Sequence, residues 1–142
     1  MWRDLVTGLT DVAIFVSPAS PRDLAEAERD IDVTFPGELR ELLSESDGVK
    51  GEYGIGVVWP VAQIRHDNLE FRSNSDFRDL FMPFDCLLFF GDAGNGDQFG
   101  YAILDGAIRR DDIYRWNHEN DSREWAASTL RQYLEWWATG KL

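Results

Sequence analysis

Near the middle of the chain two strand-like segments, Cys86 to Gly91 and Gln98 to Leu104, flank a short run of glycines and oxygen-bearing side chains, Asp92 to Asp97. No other feature constrains the fold as strongly. Asn95 and Gly96 form a dipeptide that accepts the positive φ angles of a tight turn, so the flanking segments are predicted to pair as an antiparallel hairpin. Further strands are predicted at Asp112 to Asn117 and at Tyr53 to Trp59. In the latter, Tyr53, Ile55, Val57 and Trp59 alternate with Gly54, Gly56 and Val58. Gly54 and Gly56 read as positions where another backbone comes close. Such a sheet needs its apolar face covered, and the remaining segments supply helices.

Ser20, Pro21 and Asp23 read as an N-cap, a first-turn proline and a capping carboxylate. The helix they start runs to about Ile31, with Leu24, Ala27 and Ile31 facing inward. A second helix begins near Pro36, carries Leu39, Leu42, Leu43 and Ser46 on one face, and stops where Gly48 adopts a left-handed conformation. Pro60 ends the Tyr53 strand and starts a polar helix burying Val61, Ile64, Asn68 and Phe71, followed by a polar loop around Ser73 to Asp76. Ser128 is predicted to cap a closing helix with Leu130, Tyr133, Leu134 and Trp137 at helical spacing, ending near Gly140. Ahead of Ser20, Trp2, Leu5, Val6 and Leu9 suggest a short helix, and Val12 to Val16 reads as strand or packed coil. The expected class is α+β, an antiparallel sheet packed with helices, forming one domain over residues 1–142.

A chain of 142 residues with six tryptophans can bury a core, which excludes a disordered chain despite its charge. The lone cysteine, Cys86, lies in an apolar run and reads as a small buried hydrophobe, fitting a reducing compartment. Arg3 and Asp4 interrupt the N-terminus where a secretory signal would place its apolar core, and no run approaches the roughly 20 apolar residues of a membrane span. A cytoplasmic location is expected, without membrane contact. The formal net charge of −12 disfavours direct nucleic-acid binding, which draws on clustered lysine and arginine. Such acidity suits a basic partner, or simply keeps the chain soluble; composition alone does not choose.

Groups with possible chemistry are few. Asp92 to Asp97 superficially resembles a calcium loop, but the third position is Gly94 and the twelfth Ile103, where such a loop needs an oxygen ligand and a bidentate glutamate. A hairpin turn whose Asp and Asn side chains bond their own backbone is favoured. Trp116, His118, Glu119, Asp121 and Arg123 cluster in the sequence, with histidine beside carboxylates. The only other histidine is His66 and no nucleophile motif is present, so His118, Glu119, Asp121 and Arg123 read as ties that hold a loop after a strand. A metal-assisted hydrolase built on Asp97, His118, Glu119 and Asp121 is the least favoured reading. His66 and Asp67 read as a solvated pair, and Asn68 as a buried amide bonding nearby backbone. Gly54 and Gly56 lack the third glycine and the lysine of a phosphate loop. Trp136 and Trp137 sit about 100° apart on the closing helix; either Trp136 lies at the edge as an interface anchor or a wide buried face takes both. No catalytic residue, metal or cofactor is assigned.

Taken in order, several of these pieces resemble the SUKH superfamily, which includes the Smi/Knr-type fungal cell-wall assembly regulators and many bacterial immunity proteins. They are Glu26, Phe35 and Pro36, Asp47 and Gly48, Phe90 through Phe99, then Tyr114, Trp116, His118, Glu119, Asp121, Arg123, Ser128 and Leu130. The resemblance covers roughly residues 20 to 139. It implies a SUKH (Smi/Knr-like) α+β fold, no enzymatic activity, and in bacteria an antidote that binds and neutralises a cognate toxin, often a basic nuclease. A regulatory protein-binding scaffold is the alternative it implies. The first helical hairpin and its exit carry Asp23, Glu26, Glu28, Asp30, Asp32, Glu38, Glu41, Glu45, Asp47 and Glu52 against only Arg22, Arg29, Arg40 and Lys50. On charge, the expected partner-binding residues are therefore Asp23, Glu26, Glu38, Glu41, Glu45 and Asp47. The Trp116, His118, Glu119 and Asp121 loop comes second, with Trp136 as a possible aromatic anchor.

Overall fold

The computed structural model describes residues 1–142 and contains six helices and two antiparallel sheets. Strands β4 (Leu87–Asp92), β5 (Gln98–Ala102), β6 (Ile113–Trp116) and β7 (Arg123–Ala127) form a four-stranded meander in chain order. The smaller sheet holds β1 (Ile14–Phe15), β2 (Val49–Lys50) and β3 (Gly56–Val58), also in chain order. Around them lie α1 (Trp2–Leu9), α2 (Pro21–Ile31), α3 (Gly37–Glu45), α4 (Val61–Ser73), α5 (Ser75–Leu80) and α6 (Leu130–Thr139). The expected α+β class is thus observed.

Local chemistry explains most boundaries. The Ser20 side chain accepts from the Asp23 amide at 3.0 Å, Pro21 occupies the first turn of α2, and Leu24, Ala27 and Ile31 are buried along it. Asp92 pairs with Gln98 across the central hairpin, and the Asn95 side chain accepts from the Asp97 amide at 3.0 Å. The positive φ angles fall at Gly94 and Gly96, so Asn95 acts through its side chain instead of its backbone.

The two sheets are stitched by backbone and buried polar groups. The Trp59 amide donates to the Phe90 carbonyl at 2.7 Å, and the Tyr133 hydroxyl of α6 donates to the Val57 carbonyl of β3 at 2.7 Å. Gly91 is the close approach: a Cβ there would strike the Val57 carbonyl and come within 2.9 Å of the Tyr133 hydroxyl. Asn68 of α4 covers part of the outer edge of β4, accepting from the Phe89 amide and donating to the Phe89 carbonyl, both at 2.8 Å. Arg72, one turn on, donates to the Leu87 carbonyl at 3.0 Å. An edge that would otherwise show unpaired backbone is thereby shielded. Trp59, Phe89, Phe90, Tyr101, Ile113, Leu130 and Tyr133 are fully buried between the layers.

Several expectations need correction. The Tyr53 strand is shorter than alternation predicts: Glu52–Gly54 is a 3-10 turn with Tyr53 at φ 60°, and only Gly56–Val58 pairs. Gly54 has open space around it and Gly56 meets the Trp59 ring, so neither marks a close backbone approach. Helix α3 ends at Glu45 with Ser46 extended, and Gly48 takes its positive φ (96°) three residues later, leading into β2. The polar stretch at Ser73 to Asp76 holds no loop: Ser73 ends α4, and the Asn74 side chain caps α5 by accepting from Asp76. Phe77 and Phe81 pull this short helix onto Phe71, Phe84 and Trp116, with ring centroids 4.8 to 6.3 Å apart. Strand β5 stops at Ala102, since Leu104 instead turns to bridge Ala107. Cys86 is exposed just ahead of β4, against the Arg123 guanidinium at 3.1 Å. Thr129, not Ser128, caps α6, accepting from Gln132; Ser128 donates to the Gln132 side chain. Trp136 and Trp137 are both half-buried, so the core stripe of α6 is Leu130, Tyr133 and Leu134.

Candidate partner-binding surface

The acidic hairpin does not form one continuous face, because several of its carboxylates are occupied inside the fold. Glu38 accepts from the Leu130 amide at 2.7 Å and so anchors the start of α6 to α3. Burial pushes its carboxyl above the usual glutamate range, with Asp111 and Glu41 adding to the push against that hydrogen bond. Glu45 accepts from the Trp2 and Arg3 amides at 3.0 and 3.2 Å, serving the first turn of α1. Asp47 accepts from the Val61 amide at 2.8 Å at the start of α4. Three acids from one hairpin therefore hold three different helix N-termini, where orphan amides and the helix dipole favour negative charge.

What remains free is smaller. Asp23 and Glu41 are exposed and make no ion pair, while Glu26 pairs with Arg22 at 3.0 Å. Asp23, Glu26, Asp30 and Asp47 do share one groove of about 310 Å³ between α2 and α4. Arg65 enters it and bonds Asp30 at 2.6 Å, holding that carboxyl below its ordinary range through the hydrogen bond. Glu41 and Glu38 lie elsewhere, toward Asp111.

The second predicted patch is organised by Asp97, which is buried. One of its oxygens takes the His118 ring nitrogen at 2.6 Å and the His118 amide at 3.1 Å; the other takes Arg115 at 2.9 Å. Burial works to raise the Asp97 carboxyl, but these donors outweigh it and hold the group below its ordinary range. Gly96 is needed here, since a Cβ would sit 3.0 Å from the His118 ring on a backbone at φ 100°. Asp121 accepts from the Trp116 indole at 2.8 Å, the Met82 amide at 2.9 Å and Arg123 at 3.2 Å. Trp116 is buried, and Glu119 alone of the loop's predicted binding residues is exposed without an ion pair. His118, Asp121 and Arg123 thus tie the loop down as expected, whereas Glu119, expected among these ties, makes no side-chain hydrogen bond or ion pair. Asp97, grouped with His118 on sequence only in the least favoured reading and otherwise expected to bond its own turn, is the hub of the loop, lying 21 residues before His118 with no local motif linking them.

Trp136 packs edge-on against Trp125, centroids 6.0 Å apart. Trp125 is the more exposed ring, at 51%, so the aromatic on offer lies on β7 and not on α6. No grouping of three or more His, Cys, Asp or Glu side chains has the arrangement of a metal site. His118 and Asp97 form an oriented dyad, and both are engaged in holding the loop.

These features define an α+β scaffold whose polar groups mostly fasten helices and loops, leaving scattered carboxylates and aromatics for contact. A family model described as SUKH_6: SMI1-KNR4 cell-wall matches residues 21–134, so the chain belongs to the SUKH family. That family comprises immunity and regulatory proteins that are generally non-catalytic and commonly bind other proteins. Comparison with curated proteins finds no match. No helix is long and apolar enough to cross a membrane.

Proposed function

We propose that this protein is a cytoplasmic antidote, a one-domain immunity protein that binds and neutralises a cognate bacterial toxin and catalyses nothing itself. The observation carrying this reading is the family match joined to a net charge of −12. A toxin that grips phosphate, such as a nuclease, is basic, and an acidic antidote presents the complementary field that speeds encounter and covers the toxin's working surface. Asp23, Glu26 and Asp47 beside the α2–α4 groove, with Glu41 and Glu119, supply candidate contacts; Glu38, Glu45, Trp116, His118, Asp121 and Trp136 act chiefly by holding those surfaces in place. The test is co-expression with the product of the adjacent open reading frame. The protein is expected to co-purify with it one to one and to restore growth, and failure of both refutes the reading. A second reading, a regulatory scaffold for endogenous partners, is favoured by the cell-wall description of the matching family model. Capture of housekeeping proteins in cells lacking any toxin gene would select it.

A further inference from the structure

A cavity of about 510 Å³ opens beside the small sheet, between β1 and the start of α4. Ile14 of the edge strand β1 and Val16 just beyond it line one part of the cavity and are 54% and 43% exposed, an unusual outlay of branched apolar side chains on so short an edge. Gly54 and Gly56 also line it; Gly54 has open space where a side chain would stand, while the Trp59 ring fills that position at Gly56. Asp47 and Asp92 contribute carboxylates. Asp47 takes the Val61 amide and Asp92 the Trp59 indole at 2.8 Å, each through one oxygen, so both are held in fixed orientation.

Charge sets this cavity apart from most of the molecule's sheltered carboxylates. Asp97, Asp121 and Glu28 are matched by Arg115 at 2.9 Å, Arg123 at 3.2 Å and Arg40 at 2.8 Å, while Glu38, outside the cavity, meets only the Leu130 amide. Asp92 and Asp47 have no cation within ion-pairing distance. Asp92 is half-buried, and burial raises its carboxyl above the ordinary range. Lys50 lines the same cavity and leaves it net negative. Next to Gly54, Tyr53 stands 91% exposed on a left-handed backbone, a costly conformation for a bulky residue and one that presents its ring to solvent.

We infer that this cavity is the seat for an arginine side chain of a protein partner, its methylene stem on Ile14 and Val16 and its guanidinium between Asp47 and Asp92. A guanidinium fits better than an ammonium because it is planar, weakly hydrated and able to meet two carboxylates at once. The apolar wall suits an arginine stem, which packs along apolar surface while its head stays polar. The identity of the partner as a toxin rests on the proposed function; the arginine seat itself does not.

The test uses the isotope-labelled full chain titrated with N-acetyl-arginine amide, with N-acetyl-citrulline amide as the neutral isostere. Backbone signals of Gly48, Lys50, Gly54 and Gly56 are expected to move with the arginine compound, and the citrulline compound is expected to bind at least about ten-fold more weakly, since only the charged head meets the carboxylates. Asp92→Asn and Asp47→Asn each keep an acceptor for the Trp59 or Val61 donor while removing the charge. Each is expected to weaken the arginine compound about three- to ten-fold, with the remaining spectrum unchanged. Equal response to both compounds, movement centred elsewhere, or no loss in both variants overturns the inference. So does concentration-dependent movement of these same signals without ligand, which assigns the cavity to a second copy of the chain. Because no toxin enters this titration, its failure leaves the proposed antidote role standing, and failed rescue by co-expression leaves the arginine seat standing.

Discussion

Asn68→Leu removes one side chain that closes part of a sheet edge. In the native fold the Asn68 amide satisfies both the Phe89 N–H and the Phe89 carbonyl, each at 2.8 Å and fully sheltered from water. Its third bond, to the Ile64 carbonyl at 2.7 Å, is expendable, because that carbonyl sits within α4 where the helix ladder supplies a donor. Leucine has nearly the same shape and cannot serve either Phe89 group. Each orphaned group costs about 1–3 kcal/mol. Burying the leucine returns about 1.5–3 kcal/mol, so the net loss is expected near 2 kcal/mol. For 142 residues, that lowers the melting midpoint by roughly 7 °C. Urea unfolding followed by tryptophan fluorescence gives the stability directly, and an unchanged slope would place the loss in the native state. Asn68→Asp provides the contrast: it keeps an acceptor for the Phe89 amide but sets a carboxylate against two carbonyls, so its deficit should exceed that of leucine at neutral pH and shrink toward acid. A leucine variant within about 0.5 kcal/mol of wild type would show that Phe89 finds other partners, and the edge-plug account would fall.

Three further outcomes follow from the same structure. Tyr133→Phe deletes the hydroxyl that bonds the Val57 carbonyl at 2.7 Å across the two sheets, and should cost about 1–3 kcal/mol in denaturant unfolding because a buried acceptor is left alone. Gly96→Ala places a Cβ against the His118 ring on a left-handed backbone and should destabilise by about 1–3 kcal/mol, with His118 ring signals shifting in NMR spectra. Stability should peak on the acid side of neutrality. Asp92 and Glu38 have raised folded values, so their contribution is largest below their ordinary range and is lost as pH rises through the folded values. Asp97 and Asp121 have lowered values, so theirs is present above the ordinary aspartate value and is lost as pH falls through the folded ones. Unfolding midpoints across pH 3 to 9 check this, and a profile that rises steadily to pH 9 refutes it.

The parts legible in the sequence are those whose signal is local. Ser20, Pro21 and Asp23 announce α2 because capping and proline geometry act within one turn, and the turn at Asp92 to Asp97 announces its hairpin for the same reason. Where local pattern and tertiary contact compete, the pattern loses. Tyr53 alternates with Ile55 and Val57, yet the chain there turns, and no sequence rule marks a tyrosine that will adopt φ 60°. Strand β7 carries Arg123, Glu124 and Trp125 in a row with Glu124 and Trp125 exposed, so it shows little periodicity and is defined by pairing with β6. Helix α5 is only six residues long and holds its place through Phe77 and Phe81 in an aromatic cluster assembled from distant segments.

The candidate surface shows the same division, with a consequence for reading charge as function. Counting carboxylates in the first hairpin treats Glu38, Glu45 and Asp47 as free negative charge, whereas each is the acceptor for a helix N-terminus. Removing such an acceptor loosens a helix end before it tests an interface, whereas an amide in its place keeps the acceptor and removes only the charge. Loss of partner binding on Glu38→Ala or Glu45→Ala would therefore say little about contact. Charge reversal at Asp23, Glu41 and Glu119 is cleaner, because none of the three makes an ion pair. If complementarity to a basic partner governs encounter, reversing the relevant one of these slows association about two- to ten-fold at low salt, with little change in dissociation. Asp92 and Asp47 combine features of both groups: each is fixed by one hydrogen bond like the structural acids and has no cation like the exposed ones, and the two line one cavity, the combination on which the proposed arginine seat rests.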